Sequence, residues 1–237
     1  KEIIDISLKI LKSSRYRSSK LNIGNFKLFE LLINKLQIPQ RWKQRLIKFF
    51  WNEKYFSELL KRLESNLDID PVAVAGDKKM YSKMIKLNQK KIINGRSYKE
   101  IIKRFESKIN DPRQSETGKK SAKIIKEFLK IKCSLNNAPN VLNKFFKKYD
   151  LNIFVNKDFF PIKNLKIKDT KFEFSTSIGR GREVEFYNSL IFSLDVKKKN
   201  KFVNLISGGR FDELTSKYLG LKKIPAVGAA VNLSNYE

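Results

Sequence analysis

Gly181-Arg182-Glu183-Val184-Glu185-Phe186-Tyr187, Ser207-Gly208-Gly209-Arg210-Phe211-Asp212 and Ile224-Pro225-Ala226-Val227-Gly228 are the pieces whose order decides the fold. The first runs into an apolar segment, which predicts a strand over 185–196. Lys197-Lys198-Lys199-Asn200 makes a solvated turn, and a second strand follows over 201–207. Residues 211–219 read as a short helix ended by Gly220 in the left-handed conformation that glycine tolerates. Residues 226–230 supply a last strand. Strands joined by short hairpins pair antiparallel, so the expected class is α+β, with helices packed on an antiparallel sheet.

Upstream, Phe172, Phe174 and Thr176 alternate with polar neighbours as a half-buried strand requires. The stretch 1–11 reads as a helix with Ile3, Ile4, Leu8 and Leu11 on one side, and the chain is expected to begin inside a larger domain. Residues 21–25 read as a short strand and turn, feeding a helix over 26–37. Pro39 opens another helix, with Trp42, Leu46 and Phe49 as its buried stripe, continued by Tyr55, Leu59 and Leu63. The middle reads as helical and polar on its outer faces. Ser97 and Glu100 match a capping box, and the helix they start is expected to bury Ile101, Phe105 and Ile109. Asp111-Pro112 stops it, residues 113–120 read as a polar loop, and amphipathic helices follow around Ile125 and Phe128 and around Leu142 and Phe145. The expected division is 1–67 and 151–237 as parts of one core, with 68–150 as a helical insertion.

Composition excludes several chemistries. The chain of 237 residues has no histidine, which removes the usual neutral-pH base, the Ser-His-Asp and Cys-His constellations, and the commonest zinc ligand. No metal site, cofactor or catalytic residue is assigned. Cys133 is the single cysteine and cannot form an internal disulfide; a reducing, cytoplasmic setting fits it. No apolar run is long enough to span a bilayer. The net charge of +27 suggests nucleic acid, but the excess is mostly lysine, 40 of 51 basic residues, spread through every segment. With abundant Ile and Asn, this is read as A/T-rich coding drift, and no nucleic-acid partner is assigned.

The glycine-rich pieces carry the candidate chemistry. Gly208 and Gly209 stand where a strand is expected to hand over to a helix, letting backbone approach a ligand and offering N–H groups to an anion. Arg210 can grip a carboxylate in a planar fork. Arg182, Glu185 and Tyr187 can converge where a loop enters a strand, Tyr187 as a ring wall and Glu185 as an acceptor. Each also has a plain structural reading: a tight turn, a local Arg182–Glu185 ion pair and an ordinary strand aromatic.

In combination, these pieces resemble the histidine-recognition end of a histidyl-tRNA synthetase. Arg182 to Ser189 is similar to Arg-Gly-Leu-Asp-Tyr-Tyr-Thr-Gly, Ser207 to Asp212 to Gly-Gly-Arg-Tyr-Asp, and Pro225 to Gly228 to Pro-Ala-Val-Gly of class II motif three. The resemblance implies a six-stranded class II synthetase-like core. It also implies a histidine pocket lined by Arg182, Glu185, Phe186, Tyr187, Gly208, Gly209, Arg210 and Phe211, with Phe186 and Phe211 where the family has tyrosines. Where the synthetases continue to an ATP-gripping arginine, this chain has Val231-Asn232-Leu233-Ser234-Asn235. Together with the stretches 21–29, 36–39 and Arg41-Trp42, this resembles the ATP phosphoribosyltransferase regulatory subunits, noncatalytic relatives of the synthetases that act in histidine biosynthesis. The resemblance implies a short-form catalytic subunit as partner, histidine as a possible effector, and a homodimer within a hetero-oligomer. The competing readings are a divergent histidyl-tRNA synthetase core fragment and a basic RNA-binding paralogue.

Overall fold

One strand in the C-terminal half, Leu190–Lys198, is buried over Ile191, Phe192, Ser193 and Leu194 in succession, so it must be covered on both faces. The computed structural model describes residues 2–87, 92–160, 169–181, 186–214, 216, 220 and 222–236. Among them the strands are β1 Ser19–Asn25, β2 Ile92–Ile93, β3 Arg96–Ser97, β4 Lys132–Ser134, β5 Thr170–Ser175, β6 Leu190–Lys198, β7 Lys201–Arg210 and β8 Val227–Val231. The α-helices are α1 Glu2–Ser13, α2 Phe26–Lys35, α3 Gln40–Lys48, α4 Glu53–Glu64, α5 Pro71–Leu87, α6 Tyr98–Ile109, α7 Ser115–Leu129 and α8 Ala138–Lys148.

Two compact units result, residues 1–35 with 125–237 and residues 36–124. This differs from the division expected at 1–67, 68–150 and 151–237. Residues from Ile125 onward belong with the sheet because β4 pairs with β5 through Cys133 and Phe174.

In the first unit a six-stranded sheet runs β4-β5-β1-β6-β7-β8. The α+β class holds, and every pairing is antiparallel except β1 with β5, which is parallel. Hairpin logic misses that pair because a long crossover, not a turn, joins its strands. Strands β6 and β7 meet through a two-residue turn in which Lys199 takes φ 55°. Ile4, Leu8 and Leu11 of α1 and Phe26, Phe29 and Ile33 of α2 are buried, as helical spacing predicts; Ile3 is only half-buried, and Leu28 and Leu32 are buried besides. Phe128 joins these elements, its ring 6.3 Å from Phe29, 5.7 Å from Phe145 and 6.1 Å from Phe146. Rings buried this deeply contribute about 1.5–3 kcal/mol each. Gly220 takes φ +65°, as expected, while much of the helix expected over 211–219 lies outside the described residues.

The second unit packs α3 and α4 through Trp42, Leu46, Phe56, Leu59 and Leu63. Phe50 is buried in place of the expected Phe49, because α3 ends at Lys48 and the chain turns there. Phe56 likewise faces inward while Tyr55 is exposed. The Ser97–Glu100 capping box is present, but Ile101, Phe105 and Ile109 are only half-buried. Helix α5, which α6 packs against, buries none of its own residues, so the outer faces are less polar than expected. Residues 113–120 are not a loop: α7 starts at Ser115, and Arg113 is buried.

Arg113 belongs to a charged cluster around Trp42. Its guanidinium carbon lies 4.8 Å from the Trp42 ring centre, that of Arg41 5.2 Å, and Arg113 Nη1 donates to the Leu63 carbonyl at 2.9 Å. Arg41 Nη2 donates to Asp68 Oδ2 at 3.2 Å and to Asp111 Oδ2, and Arg62 Nη2 donates to Asp68 Oδ1 at 2.6 Å. Burial pushes the Asp68 carboxyl up, but the Arg62 hydrogen bond and the charges of Arg41 and Arg62 outweigh it, holding the group below its ordinary value. Burial also pushes the Arg113 guanidinium down, more than Asp111 and Asp68 offset.

A carboxyl with a lowered folded pKa contributes stability that is full above its unfolded value and disappears as pH falls through the folded one. The urea midpoint of the protein should therefore be insensitive to Asp68 above about pH 4 and should drop below it. Asp68→Asn should cost about 1.5–3 kcal/mol at neutral pH, because it removes the buried carboxylate that the half-buried Arg41 and Arg62 share. Urea denaturation of the variant at pH 7 and of the parent across pH 3–7 measures both, and an unchanged midpoint in the variant would contradict the reading.

Candidate functional site

The three glycine-bearing pieces meet at one end of the sheet. Gly208 and Gly209 lie inside β7, opposite Phe192 and Ile191 of β6 on one edge and Ala229 and Gly228 of β8 on the other. This corrects the expectation of a strand handing over to a helix at 207–210. The strand runs on to Arg210, and both glycines are laddered on each side instead of presenting N–H groups at a helix start.

Close approach, not anion binding, explains why these positions are glycine. A Cβ on Gly209 would lie 2.6 Å from Tyr187 Cδ1 and 2.9 Å from the Leu190 carbonyl oxygen. A Cβ on Gly208 would lie 2.5 Å from the Gly228 carbonyl oxygen and 2.6 Å from Phe192 Cε1. Neither is tolerable without movement of packed groups. On the Gly209 side three rings assemble: Phe186 and Tyr187 with centres 4.4 Å apart, Phe186 and Phe211 at 5.8 Å, and Tyr187 and Phe211 at 6.1 Å. Tyr187 is 8% exposed, and burial pushes its hydroxyl pKa up. Phe211 also covers Gly228, where a Cβ would stand 3.2 Å from its Cε1.

Arg210 has an internal partner. Its Nε donates to Asp212 Oδ2 at 2.6 Å, while Asp212 Oδ1 accepts from the Ala226 N–H at 2.9 Å. The Phe211 N–H donates to the Ala226 carbonyl at 2.9 Å, completing a clasp between the end of β7 and the approach to β8. Burial pushes the Asp212 carboxyl up; the Arg210 and Ala226 hydrogen bonds, with the charges of Arg210 and Lys27, bring it below its ordinary value.

Of the expected pocket residues, the structure brings Phe186, Tyr187, Gly209 and Phe211 into one cluster, with Gly208 beside it and Arg210 turned to Asp212. Arg182 and Glu185 lie outside the described residues. Asn235 follows β8 in a short 3-10 turn and donates from Nδ2 to the Asn204 carbonyl at 2.9 Å. Its own carbonyl accepts from the Tyr16 hydroxyl at 2.7 Å.

A polar row beneath this cluster escaped sequence reading. Asn22 Nδ2 donates to Asp195 Oδ2 at 2.7 Å and to Ser193 Oγ at 3.2 Å. Asn204 Nδ2 donates to Asp195 Oδ1 at 2.9 Å, and Ser207 Oγ donates to Asn204 Oδ1 at 2.8 Å. The alternation Ser193, Asp195 within an apolar strand was its only local signal; the cross-strand register supplied the rest.

Gly209→Ala should destabilise the protein by about 1–3 kcal/mol, because the Tyr187 ring and the Leu190 carbonyl must give way. Tyr187→Phe, which keeps the ring, should stay within about 1 kcal/mol of the parent. Chemical denaturation with near-ultraviolet circular dichroism measures both; an undisturbed Gly209→Ala protein would refute the packing account.

No protein-family model matches the chain. By sequence it is 28% identical over 234 residues to the ATP phosphoribosyltransferase regulatory subunit of Allorhizobium ampelinum, covering 91% of this chain and 61% of that protein. It is 24% identical over 238 residues to the protein of the same name in Sinorhizobium fredii, covering 93% and 62%. The chain thus spans about three-fifths of the length of these curated relatives. Among solved structures it is similar to the histidyl-tRNA synthetase of a Nostoc species, with a TM-score of 0.52 and 17% identity over 97% of this chain and 43% of that one. At that identity the likeness is one of fold. Among the described residues no helix is long and apolar enough to cross a membrane. The chain is therefore similar in sequence to ATP phosphoribosyltransferase regulatory subunits and shares an α+β fold with a histidyl-tRNA synthetase.

Proposed function

We propose that the protein is a noncatalytic regulatory subunit of ATP phosphoribosyltransferase, required for the first step of histidine biosynthesis. The observation that carries this reading is the sequence match to proteins of that name along more than nine-tenths of the chain. Two features support it. The chain has no histidine to serve as a general base. Asn235, aligned by motif with the arginine that grips ATP in the synthetases, is neutral and bound to the Asn204 carbonyl. Losing a charged clamp from a phosphate site costs orders of magnitude in rate, so a chain without it is better suited to sensing than to adenylation.

In this reading the short-form catalytic subunit is the partner, the regulatory chain forms a homodimer within the hetero-oligomer, and histidine is the effector. The rings of Phe186, Tyr187 and Phe211 form an apolar wall suited to an imidazole, with Gly209 against Tyr187, Gly208 and Arg210 next to it in the strand, and Arg182 and Glu185 added by motif as polar contacts. An effector acts only through different affinities for two states of the assembly, so histidine must bind one arrangement of the complex better than the other.

The full-length protein alone should release no phosphoribosyl product from ATP and phosphoribosyl pyrophosphate. Added to the short-form catalytic subunit, it should raise turnover at least about tenfold, and histidine should lower that turnover again. Turnover that stays flat at saturating regulatory protein, or histidine-dependent pyrophosphate exchange by the protein alone, would overturn the reading. The second result would favour a synthetase.

A further inference from the structure

Helix α5, Pro71–Leu87, is 17 residues long and buries none of them. Helices in proteins draw most of their stability from packing an apolar face, so a helix of this length and composition leaves a face to be covered. One side does meet α6: Val74, Asp77, Tyr81 and Met84, at helical spacing, are its half-covered residues. There Lys108 Nζ pairs with Asp77 Oδ2 at 2.8 Å, and the Tyr98 hydroxyl donates to the Met84 carbonyl at 2.9 Å. The opposite side carries Val72, Leu87 and, at its margin, Met80, exposed by 80%, 60% and 48%, with Lys79, Lys83 and Lys86 set among them. Gly76 lies on the same side, and a Cβ there would meet nothing within 4 Å.

Charge narrows the occupant. Residues 71–110 hold eleven basic and three acidic side chains. Asp77 is engaged by Lys108, and Glu100 by the Ser97 backbone. A second copy of so basic a face would repel the first. Nucleic acid would leave the aliphatic side chains without a role and would favour aromatic stacking residues, which this side of α5 lacks. A membrane surface calls for an apolar face segregated from the cations, whereas here the lysines stand between the apolar residues. A protein surface with carboxylates around shallow apolar recesses matches both halves of the pattern.

We propose that the outer face of α5, with Val72, Met80 and Leu87 set among Lys79, Lys83 and Lys86, docks an acidic-rimmed apolar surface of a protein partner. This rests on the reading above, under which that partner is the transferase catalytic subunit. The docking should be salt-sensitive in its association rate and should depend on the apolar side chains for its lifetime.

The test uses the full-length protein and the short-form catalytic subunit, with affinity measured by biolayer interferometry. Three proteins are compared with the parent: Met80→Asp with Leu87→Asp; Lys79→Glu with Lys83→Glu and Lys86→Glu; and a control of equal charge change, Lys54→Glu with Lys120→Glu and Lys144→Glu, all exposed positions outside α5. Because the altered side of α5 buries nothing, melting temperatures should stay within a few degrees of the parent. Both α5 variants should weaken binding by at least about tenfold, and the control by less than about threefold. If the parent binds and both α5 variants bind equally well, the docking face is refuted while the regulatory reading stands. If the parent itself fails to bind, both fall. If the α5 variants instead lose retention of bulk tRNA or of phosphatidylserine vesicles while transferase binding is unchanged, the face belongs to that other ligand and the inference is overturned.

Discussion

The absence of two side chains on β7 organises the C-terminal end of the sheet. Because Gly208 and Gly209 carry no Cβ, Phe192 and the Gly228 carbonyl press on one face while Tyr187 and the Leu190 carbonyl press on the other. That closeness lets Phe186, Tyr187 and Phe211 gather above the end of the strand. It also brings Phe211 against Gly228 and sets Asp212 to clasp Arg210 and the Ala226 N–H. An alanine at either glycine would have to push apart groups packed at near-crystalline density, and the whole corner would shift with them.

The second unit solves a different problem. It holds Arg113 fully buried, with Arg41 and Arg62 nearby and the carboxylates of Asp68 and Asp111 set against them. The Trp42 ring accepts part of the burden through its negative face, and the Leu63 carbonyl accepts one Arg113 N–H. Such clusters add little net stability over an apolar core, but losing one member is expensive. They fix geometry: the Arg113 contact to the Leu63 carbonyl ties the start of α7 to the end of α4, just where a Cβ on Gly118 would stand 2.2 Å from the same oxygen.

Legibility in the sequence varied with the range of the interaction responsible. The Ser97–Glu100 capping box, the helix after Pro39 and the buried faces of α1 and α2 depend on neighbours a few residues away, and they stand where the pattern put them. The burial of Phe50 in place of Phe49 and of Phe56 in place of Tyr55 turned on where α3 ends, a boundary that periodicity locates only loosely. The burial of Arg113 was not legible locally, because the ring and carbonyl that receive its guanidinium lie far off in the chain at Trp42 and Leu63. In the candidate site, the residue types and their order were legible while their roles were not. The glycines were expected at a strand-to-helix handover and lie inside β7 at points of close packing. Arg210 was read as free to meet a ligand carboxylate, and its Nε has an internal partner in Asp212.

The sequence by itself determined the α+β class, the hairpin of β6 and β7 and the order of its glycine-bearing motifs. These follow from local periodicity and composition, which need no partner distant in the chain. Tertiary structure alone decided the parallel pairing of β1 with β5, the transfer of β4 to the main sheet, the Asn22–Asp195–Asn204 row and the uncovered side of α5. Each depends on which remote segment lies alongside, and the free energy of that choice comes from packing and register that no window of sequence contains.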